Sequence, residues 1–200
     1  MRCGRFLAFI VATSLATSVG HSAEIKKVKR PACDYLLEGG IVNGDLDRLK
    51  ALKMERGHSL CLDSLGGSYS VGLELAEYLA GMNVTTVVDE GAKCLSSCAN
   101  VFMGGSDWEE IYLPKRKMHI KAVVGFHAPF LDLENKQYSA AHVHAAYAVG
   151  LESVARMMKL GHDRTGEGFI PNRVILELLQ KGPDEAYSVD TVLSVCPKSC

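Results

Sequence analysis

The chain has 200 residues, of which 48% are apolar and 22% are charged, and its formal net charge at pH 7 is −1. This length and composition suit one globular domain rather than a disordered or fibrous chain. The near-neutral charge excludes a general affinity for polyanions, so no nucleic-acid partner is expected.

Residues 1–22 are typical of an export signal. Arg2 and Arg5 give a positive start, and an apolar stretch follows from Phe6 to Ala12. That stretch is too short for a membrane span, although an uncleaved membrane anchor is the alternative. Cleavage near residue 22 would place the mature protein in a periplasmic or extracellular compartment.

Six of the seven cysteines would remain after that cleavage, and an even number in an exported chain favours disulfide bonds. Pairing of neighbours would give Cys33–Cys61, Cys94–Cys98 and Cys196–Cys200, although the sequence does not fix the connectivity. On one helix, Cβ atoms four residues apart are about 5–6 Å apart, whereas a disulfide needs roughly 3.5–4.5 Å. Cys94 and Cys98 can therefore pair only if Cys94 precedes the helix, and a free, buried Cys98 is the alternative.

Strands and helices are predicted to alternate along a domain that spans 41–195, between an N-terminal arm (23–40, with a basic run at 26–30) and a cysteine-containing tail (196–200). Helical spacing of apolar residues marks 46–54, 69–79, 96–103, 138–160 and 171–180. Alternating or β-branched runs mark strands at 59–64, 84–88 and 120–126. This order favours an α/β fold with a largely parallel sheet, whose functional residues are expected at the carboxyl ends of the strands.

The long helix at 138–160 carries an apolar stripe that predicts a buried face, with contact between subunits as the alternative. The stripe consists of Val143, Tyr147, Leu151, Val154 and Met158. His142 and His144 lie two positions apart on this helix, so they point about 200° apart and cannot share one metal ion. No metal site and no cofactor is expected.

Three segments place reactive groups at the ends of predicted strands. Residues 62–68 contain a Gly-Gly turn, residues 93–105 put two serines where a strand ends and a helix begins, and residues 124–129 include a histidine at the end of an apolar run. A nucleophile, backbone N–H donors and a base are the parts of an acyl-transfer site.

Together these segments resemble the proteolytic subunit of the Clp protease, a member of the wider crotonase-like superfamily. Residues 62–68 resemble its Ser-Pro-Gly-Gly turn, 94–105 its nucleophile segment, and 124–129 the strand that ends in its catalytic histidine. The resemblance spans about 41–195 and is nearest to small exported relatives with a Cys-x-Ser-x-Cys-Ala pattern. It implies a ClpP/crotonase-like layered fold of repeated ββα-type units, with a mainly parallel sheet flanked by helices.

The resemblance implies a serine peptidase or hydrolase in which Ser96 is the nucleophile and His127 the base. Asp184 would orient His127, and the backbone N–H groups of Gly67 and Ser97 would form the oxyanion hole. Ser97 stays an alternative nucleophile, and weaker candidates for the acid are Asp132, Glu134 and Asp163. Simpler roles stay open too: either serine can cap the helix, and Asp184 can belong to an ordinary turn.

Leu65 stands where the family has a proline, which loosens the turn. This difference motivates a second hypothesis, a non-catalytic member that binds peptides or protein partners through the same cleft. A third hypothesis is an acyl enzyme that acts on thioesters. The family tends to form rings, so a homo-oligomer is one expectation, whereas an exported chain needs no ATPase partner. Under the first hypothesis the substrate is a peptide or protein.

Overall fold

The computed structural model describes residues 22–108, 112–130, 137–162, 168–181 and 185–189. The strands in this part are β1 (Glu24–Arg30), β2 (Cys33–Glu38), β3 (Ser59–Asp63), β4 (Thr85–Val88), β5 (Lys93–Leu95), β6 (Ser106–Trp108), β7 (Tyr112–Pro114), β8 (Arg116–Met118), β9 (Val123–Phe126) and β10 (Tyr187–Val189). The helices are α1 (Asp45–Ala51), α2 (Tyr69–Met82), α3 (Ser97–Met103), α4 (Ala140–Lys159) and α5 (Asn172–Gln180).

The main sheet has the strand order β1-β2-β3-β4-β8, in which β1 pairs antiparallel and the other neighbours pair in parallel. A smaller sheet has the order β10-β9-β5, with β5 and β9 parallel. A bridge between Ser64 and Cys94 joins the end of β3 to β5. The carboxyl ends of β3, β5 and β9 therefore meet, and the predicted mixed α/β, mainly parallel architecture is confirmed. The layering in repeated ββα-type units stays a prediction.

Segment 23–40, which was expected to form an arm, contributes β1 and β2 to the main sheet. In β2, Tyr35 and Leu37 are buried in the core. The basic run 26–30 lies on β1 at the edge of the sheet, where charged side chains remain solvated and discourage pairing with other chains. Residues 1–21 and 190–200 lie outside the described residues, so the signal and the tail remain predictions.

Helices α2 and α3 pack closely against each other near the start of α3. A Cβ on Gly72 of α2 would lie 2.6 Å from the Ser97 carbonyl oxygen and 2.7 Å from the Ser97 Cβ. A side chain at position 72 would therefore push the two helices apart. Because Gly72 has no side chain, α2 packs directly against the first turn of α3 and fixes its position just after Ser96.

The apolar stripe of α4 is not a buried face, so that expectation was wrong. Val143, Tyr147, Leu151 and Met158 are between 45% and 67% exposed, and only Ser153 and Met157 of this helix are buried. Helical periodicity shows that apolar residues share one face, but it does not show what covers that face. None of the helices described here is long and apolar enough to cross a membrane.

Two of the expected disulfides are present in the described residues. Cys33–Cys61 joins β2 to β3, and Cys94–Cys98 joins β5 to the first turn of α3 with a Cα–Cα distance of 5.0 Å. Cys94 lies before the helix, which is the condition that the spacing required. The third expected pair, Cys196–Cys200, lies outside the described residues.

Candidate active site

Ser96 lies between β5 and α3 in a backbone conformation that is rare for a residue with a side chain. Its φ is 58° and its ψ is −128°. Such conformations cost free energy and persist only where surrounding contacts enforce them. One such contact is the hydrogen bond that the Ser96 N–H donates to the Gly125 carbonyl at 2.8 Å. A serine on a strained strand-to-helix turn exposes its Oγ, as nucleophilic serines do in α/β enzymes.

The Gly-Gly turn packs directly onto Ser96. Gly66 has a φ of 99°, and a Cβ there would lie 2.5 Å from the Ser96 Cβ. Gly67 has a φ of 146°, and a Cβ there would collide with the Ile41 carbonyl oxygen. Ser64 holds the turn from inside, because its Oγ accepts the Gly66 N–H at 3.0 Å and donates to the Gly39 carbonyl at 2.6 Å. The sequence places Ser64 in the segment that resembles the Ser-Pro-Gly-Gly turn but assigns it no role, although a hydroxyl two residues before a glycine is a recognised turn signal.

Two backbone N–H groups beside Ser96 have no hydrogen-bond partner among the described residues. The chain at 66–68 pairs with Ile41 through the Gly66 carbonyl and the Ser68 N–H, at 2.9 and 2.8 Å. The Gly67 N–H consequently points to the other side, which is the side of the cleft. The Ser97 N–H is also unpaired, as is usual in the first turn of a helix.

The two adjacent serines occupy different environments. Ser96 lines the cleft. The side chain of Ser97 is fully buried next to Gly72, and its Oγ has no hydrogen-bond partner within the described residues. Of these two serine hydroxyls, only that of Ser96 can therefore contact a molecule in the cleft.

His127 follows β9 and lines the same cleft as Ser96 and Gly67. Its Nδ1 lies 2.8 Å from the Ala128 carbonyl oxygen. A carbonyl only accepts hydrogen bonds, so this contact places the proton on Nδ1 and leaves the lone pair on Nε2. No hydrogen bond joins His127 to Ser96, although both residues are described; the ring instead packs at 5.0 Å from the Phe130 ring.

The cleft has a volume of about 460 Å³ and mixes apolar walls with a few polar groups. It is lined by Leu65, Gly67, Ser68, Tyr69, Ser96, His127 and Phe130. Leu65 is 70% exposed and Phe130 is 53% exposed, so apolar side chains stand at its rim without filling it. This size and this lining are typical of sites that bind a small molecule or a short peptide segment.

Tyr69 is a wall residue whose role the sequence did not indicate. Its hydroxyl donates to the Met157 sulfur at 2.9 Å. Burial raises the pKa of Tyr69 to about 12, and the nearby Asn100 amide, which lies outside hydrogen-bonding geometry, opposes part of that rise. Tyr69 therefore stays a neutral phenol near neutral pH and is not a general base.

The remaining sequence candidates fall elsewhere. Asp184, Asp132, Glu134 and Asp163 lie outside the described residues. Cys33, Cys61 and Asp89 are the group of potential metal ligands that lie within 4.8 Å of one another in the described part. The disulfide between the two cysteines occupies both sulfurs, so this group does not offer thiolate ligands.

Comparisons with known proteins show the fold. No family model matches the sequence, and no curated protein matches it. Among solved structures, the chain is similar to a point mutant of ClpP1 from Listeria monocytogenes, with a TM-score of 0.51 and 13% sequence identity. The match covers 79% of this chain and 82% of that one. The class that this likeness defines is a ClpP-like α/β fold.

Proposed function

We propose that this chain is an exported serine hydrolase of the Clp-like type, acting on peptides or proteins. The observation that carries the proposal is the conformation of Ser96, a positive-φ serine on a strand-to-helix turn that shares one cleft with His127 and Gly67. A half-buried hydroxyl on a strained turn, beside a histidine and unpaired N–H groups in one cleft, is the arrangement that a nucleophile requires.

The chemistry follows from the positions of these groups. The Ser96 Oγ attacks the carbonyl carbon of the scissile bond while the His127 Nε2 accepts its proton. The Gly67 and Ser97 N–H groups stabilise the negative oxygen that forms. His127 then gives the proton to the leaving amine, and a water molecule, activated by the same histidine, releases the acyl group from Ser96.

The orientation of His127 involves two acceptors in this proposal. In the structure the Ala128 carbonyl holds the Nδ1 proton. Asp184 is proposed as the acidic member of the triad, and its carboxylate would accept the hydrogen bond from the Nδ1–H in place of the Ala128 carbonyl when bound substrate brings the ring towards Ser96. A carboxylate at this place would stabilise the imidazolium that forms during the reaction.

The surroundings of the site support a peptide as substrate and an exported location. The Gly67 N–H can pair with a peptide backbone, and the apolar rim of Leu65 and Phe130 can contact its side chains.

Disulfide bonds persist in oxidising compartments, in agreement with a signal at 1–22. No ATPase partner is needed there. The exposed stripe of α4 supports a homo-oligomer.

The test is labelling with a fluorophosphonate, which reacts with activated serines. We expect labelling of the oxidised protein to be lost in Ser96→Ala and kept in Ser97→Ala, the buried neighbour that serves as the matched control. Absence of labelling in a folded sample of verified oligomeric state would refute the hydrolase proposal.

A second candidate function is peptide or partner binding without catalysis. It is favoured by the lack of a hydrogen bond between Ser96 and His127 and by Leu65 in the turn. Catalytic contacts are often long before substrate binds, so the first function is preferred. A protein that binds peptides with equal affinity before and after Ser96→Ala, and leaves them intact, would support the second.

A further inference from the structure

We propose that the Cys94–Cys98 disulfide is a positioning device that holds the strained turn of Ser96 in its reactive conformation. This inference rests on the proposed function and adds a requirement to it: the serine is fully reactive only when these two cysteines are oxidised. Neither cysteine lines the cleft. Both act through the backbone of Ser96.

The disulfide encloses Ser96 symmetrically. Cys94 lies two residues before Ser96 in β5, and Cys98 lies two residues after it in α3. The covalent bond thus closes a ring whose backbone contains the whole strand-to-helix turn. Cys94 and Cys98 are fully buried in the hydrophobic core, so the bond belongs to the core and not to the surface.

The turn is restrained in different ways on its strand side and on its helical side. Its strand side is fixed by the hydrogen bond from the Ser96 N–H to the Gly125 carbonyl and by the close approach of Gly66. On the other side, α3 has only seven residues and its N-terminus receives no side-chain cap. A helix of that length has little stability of its own. Packing against Gly72 of α2 places this first turn, and the bond from Cys98 to β5 adds a covalent link between the two sides of the Ser96 turn.

Cys33–Cys61 is a natural control within the same chain. It joins β2 and β3, which are already paired in parallel, and neither cysteine lines the cleft. It closes a separation of 28 residues, whereas Cys94–Cys98 closes one of 4. Because closing a longer loop restricts the unfolded chain more, Cys33–Cys61 should contribute more to global stability. Loss of Cys33–Cys61 should therefore lower mainly the stability, and loss of Cys94–Cys98 mainly the reactivity of Ser96.

The experiment compares the oxidised full-length protein with two double variants, C94A/C98A and C33A/C61A. The labelling rate with a fluorophosphonate is measured as a function of pH, and thermal unfolding is followed by circular dichroism. For C94A/C98A we expect the plateau of the labelling rate to fall by about 10²-fold, as for a misplaced reacting atom. The midpoint of its pH profile should not move, because His127 is untouched.

For C33A/C61A we expect a labelling rate close to that of the unmodified protein and a larger decrease in the unfolding temperature than for C94A/C98A. Equal labelling rates in all three proteins would overturn the positioning role while leaving the hydrolase proposal intact. Failure of the unmodified protein to label would overturn both.

If C94A/C98A does not fold, the same measurement is made on folded, oxidised C33A/C61A before and after treatment with a phosphine. The phosphine reduces the disulfide to two thiols and becomes a phosphine oxide, with its oxygen supplied by water. A reduced protein that stays folded, labels slowly and recovers on reoxidation supports the proposal. Unchanged labelling overturns the proposal, because the bond would then have no effect on Ser96. Unfolding on reduction overturns it too, because the bond would then maintain the fold and not position Ser96.

Discussion

Gly66 lies in direct contact with Ser96: a Cβ on Gly66 would be 2.5 Å from the Ser96 Cβ and 2.9 Å from its Oγ. The glycine turn therefore forms the wall against which the Ser96 hydroxyl is held. The conformation of one residue depends on the absence of a side chain on the other, although thirty positions separate them in the chain.

We expect Gly66→Ala to lower the labelling rate of Ser96 by about 10²-fold, because the added methyl group displaces the hydroxyl. The strained φ should also lower the free energy of unfolding by about 1–3 kcal/mol. Gly91→Ala is the matched control, since Gly91 has a φ of 76° but open space around its Cβ position. Gly91→Ala should lose stability and keep its reactivity, and an equal loss of labelling in both variants would contradict the role of the contact between Gly66 and Ser96.

We expect Asp184→Asn to reduce the labelling rate less than His127→Ala does. His127→Ala removes the proposed base, and general base catalysis is worth about 10²–10⁴-fold, whereas Asp184→Asn leaves the Ala128 carbonyl to accept the Nδ1–H hydrogen bond. Labelling rates of the two variants, beside exposed His144→Ala as control, test this order. An unaltered rate in Asp184→Asn would show that Asp184 does not orient His127. The remaining candidates for the acid would then be Asp132, Glu134 and Asp163.

Tyr69 should make the protein less stable at alkaline pH. Its pKa is about 12 in the folded chain and 10.0 without the fold. Below pH 10 both states keep the proton, so the stability is fully present. Between pH 10 and 12 only the unfolded state releases it, and the free energy of unfolding should fall by up to about 3 kcal/mol.

Chemical denaturation of Tyr69→Phe across the range from about pH 9 to about pH 12 measures this contribution. The variant should lack that part of the decline, whereas Tyr147→Phe, an exposed tyrosine on α4, should decline like the unmodified protein. Parallel curves for all three proteins would show that burial of the Tyr69 phenol does not set the alkaline limit.

The exposed stripe of α4 should mediate self-association. Exposed apolar side chains that share one face are typical of contact surfaces, and Leu151 lies in the middle of this one, 53% exposed. We expect sedimentation velocity to show an oligomer for the native chain and a smaller species for Leu151→Glu. Ala145→Glu places the same charge on the opposite face of α4 and should leave the oligomer intact. A native chain that is monomeric at every concentration would contradict this role.

Much of the site could be predicted from local sequence patterns. The Gly-Gly turn, the paired serines and the histidine after an apolar run each mark the end of a strand, and strand ends on a parallel sheet converge. The cysteine spacing also required Cys94 to precede the helix if it pairs with Cys98, and Cys94 does lie before α3, in β5. The contacts of Tyr69 and Gly72 with the site were not predicted, because they depend on how α2 packs, and the periodicity of a single segment contains no such information.

The sequence by itself determined the α/β class, the order of most helices and strands and the segments that carry reactive groups, because these follow from side-chain periodicity and from the residue types that turns require. Only the tertiary structure decided that Ser96 faces the cleft while Ser97 is buried, that 24–38 forms two strands of the main sheet, and that the stripe of α4 stays exposed. Burial is the reason: whether a side chain is covered depends on contacts between segments far apart in the chain, which local pattern does not specify.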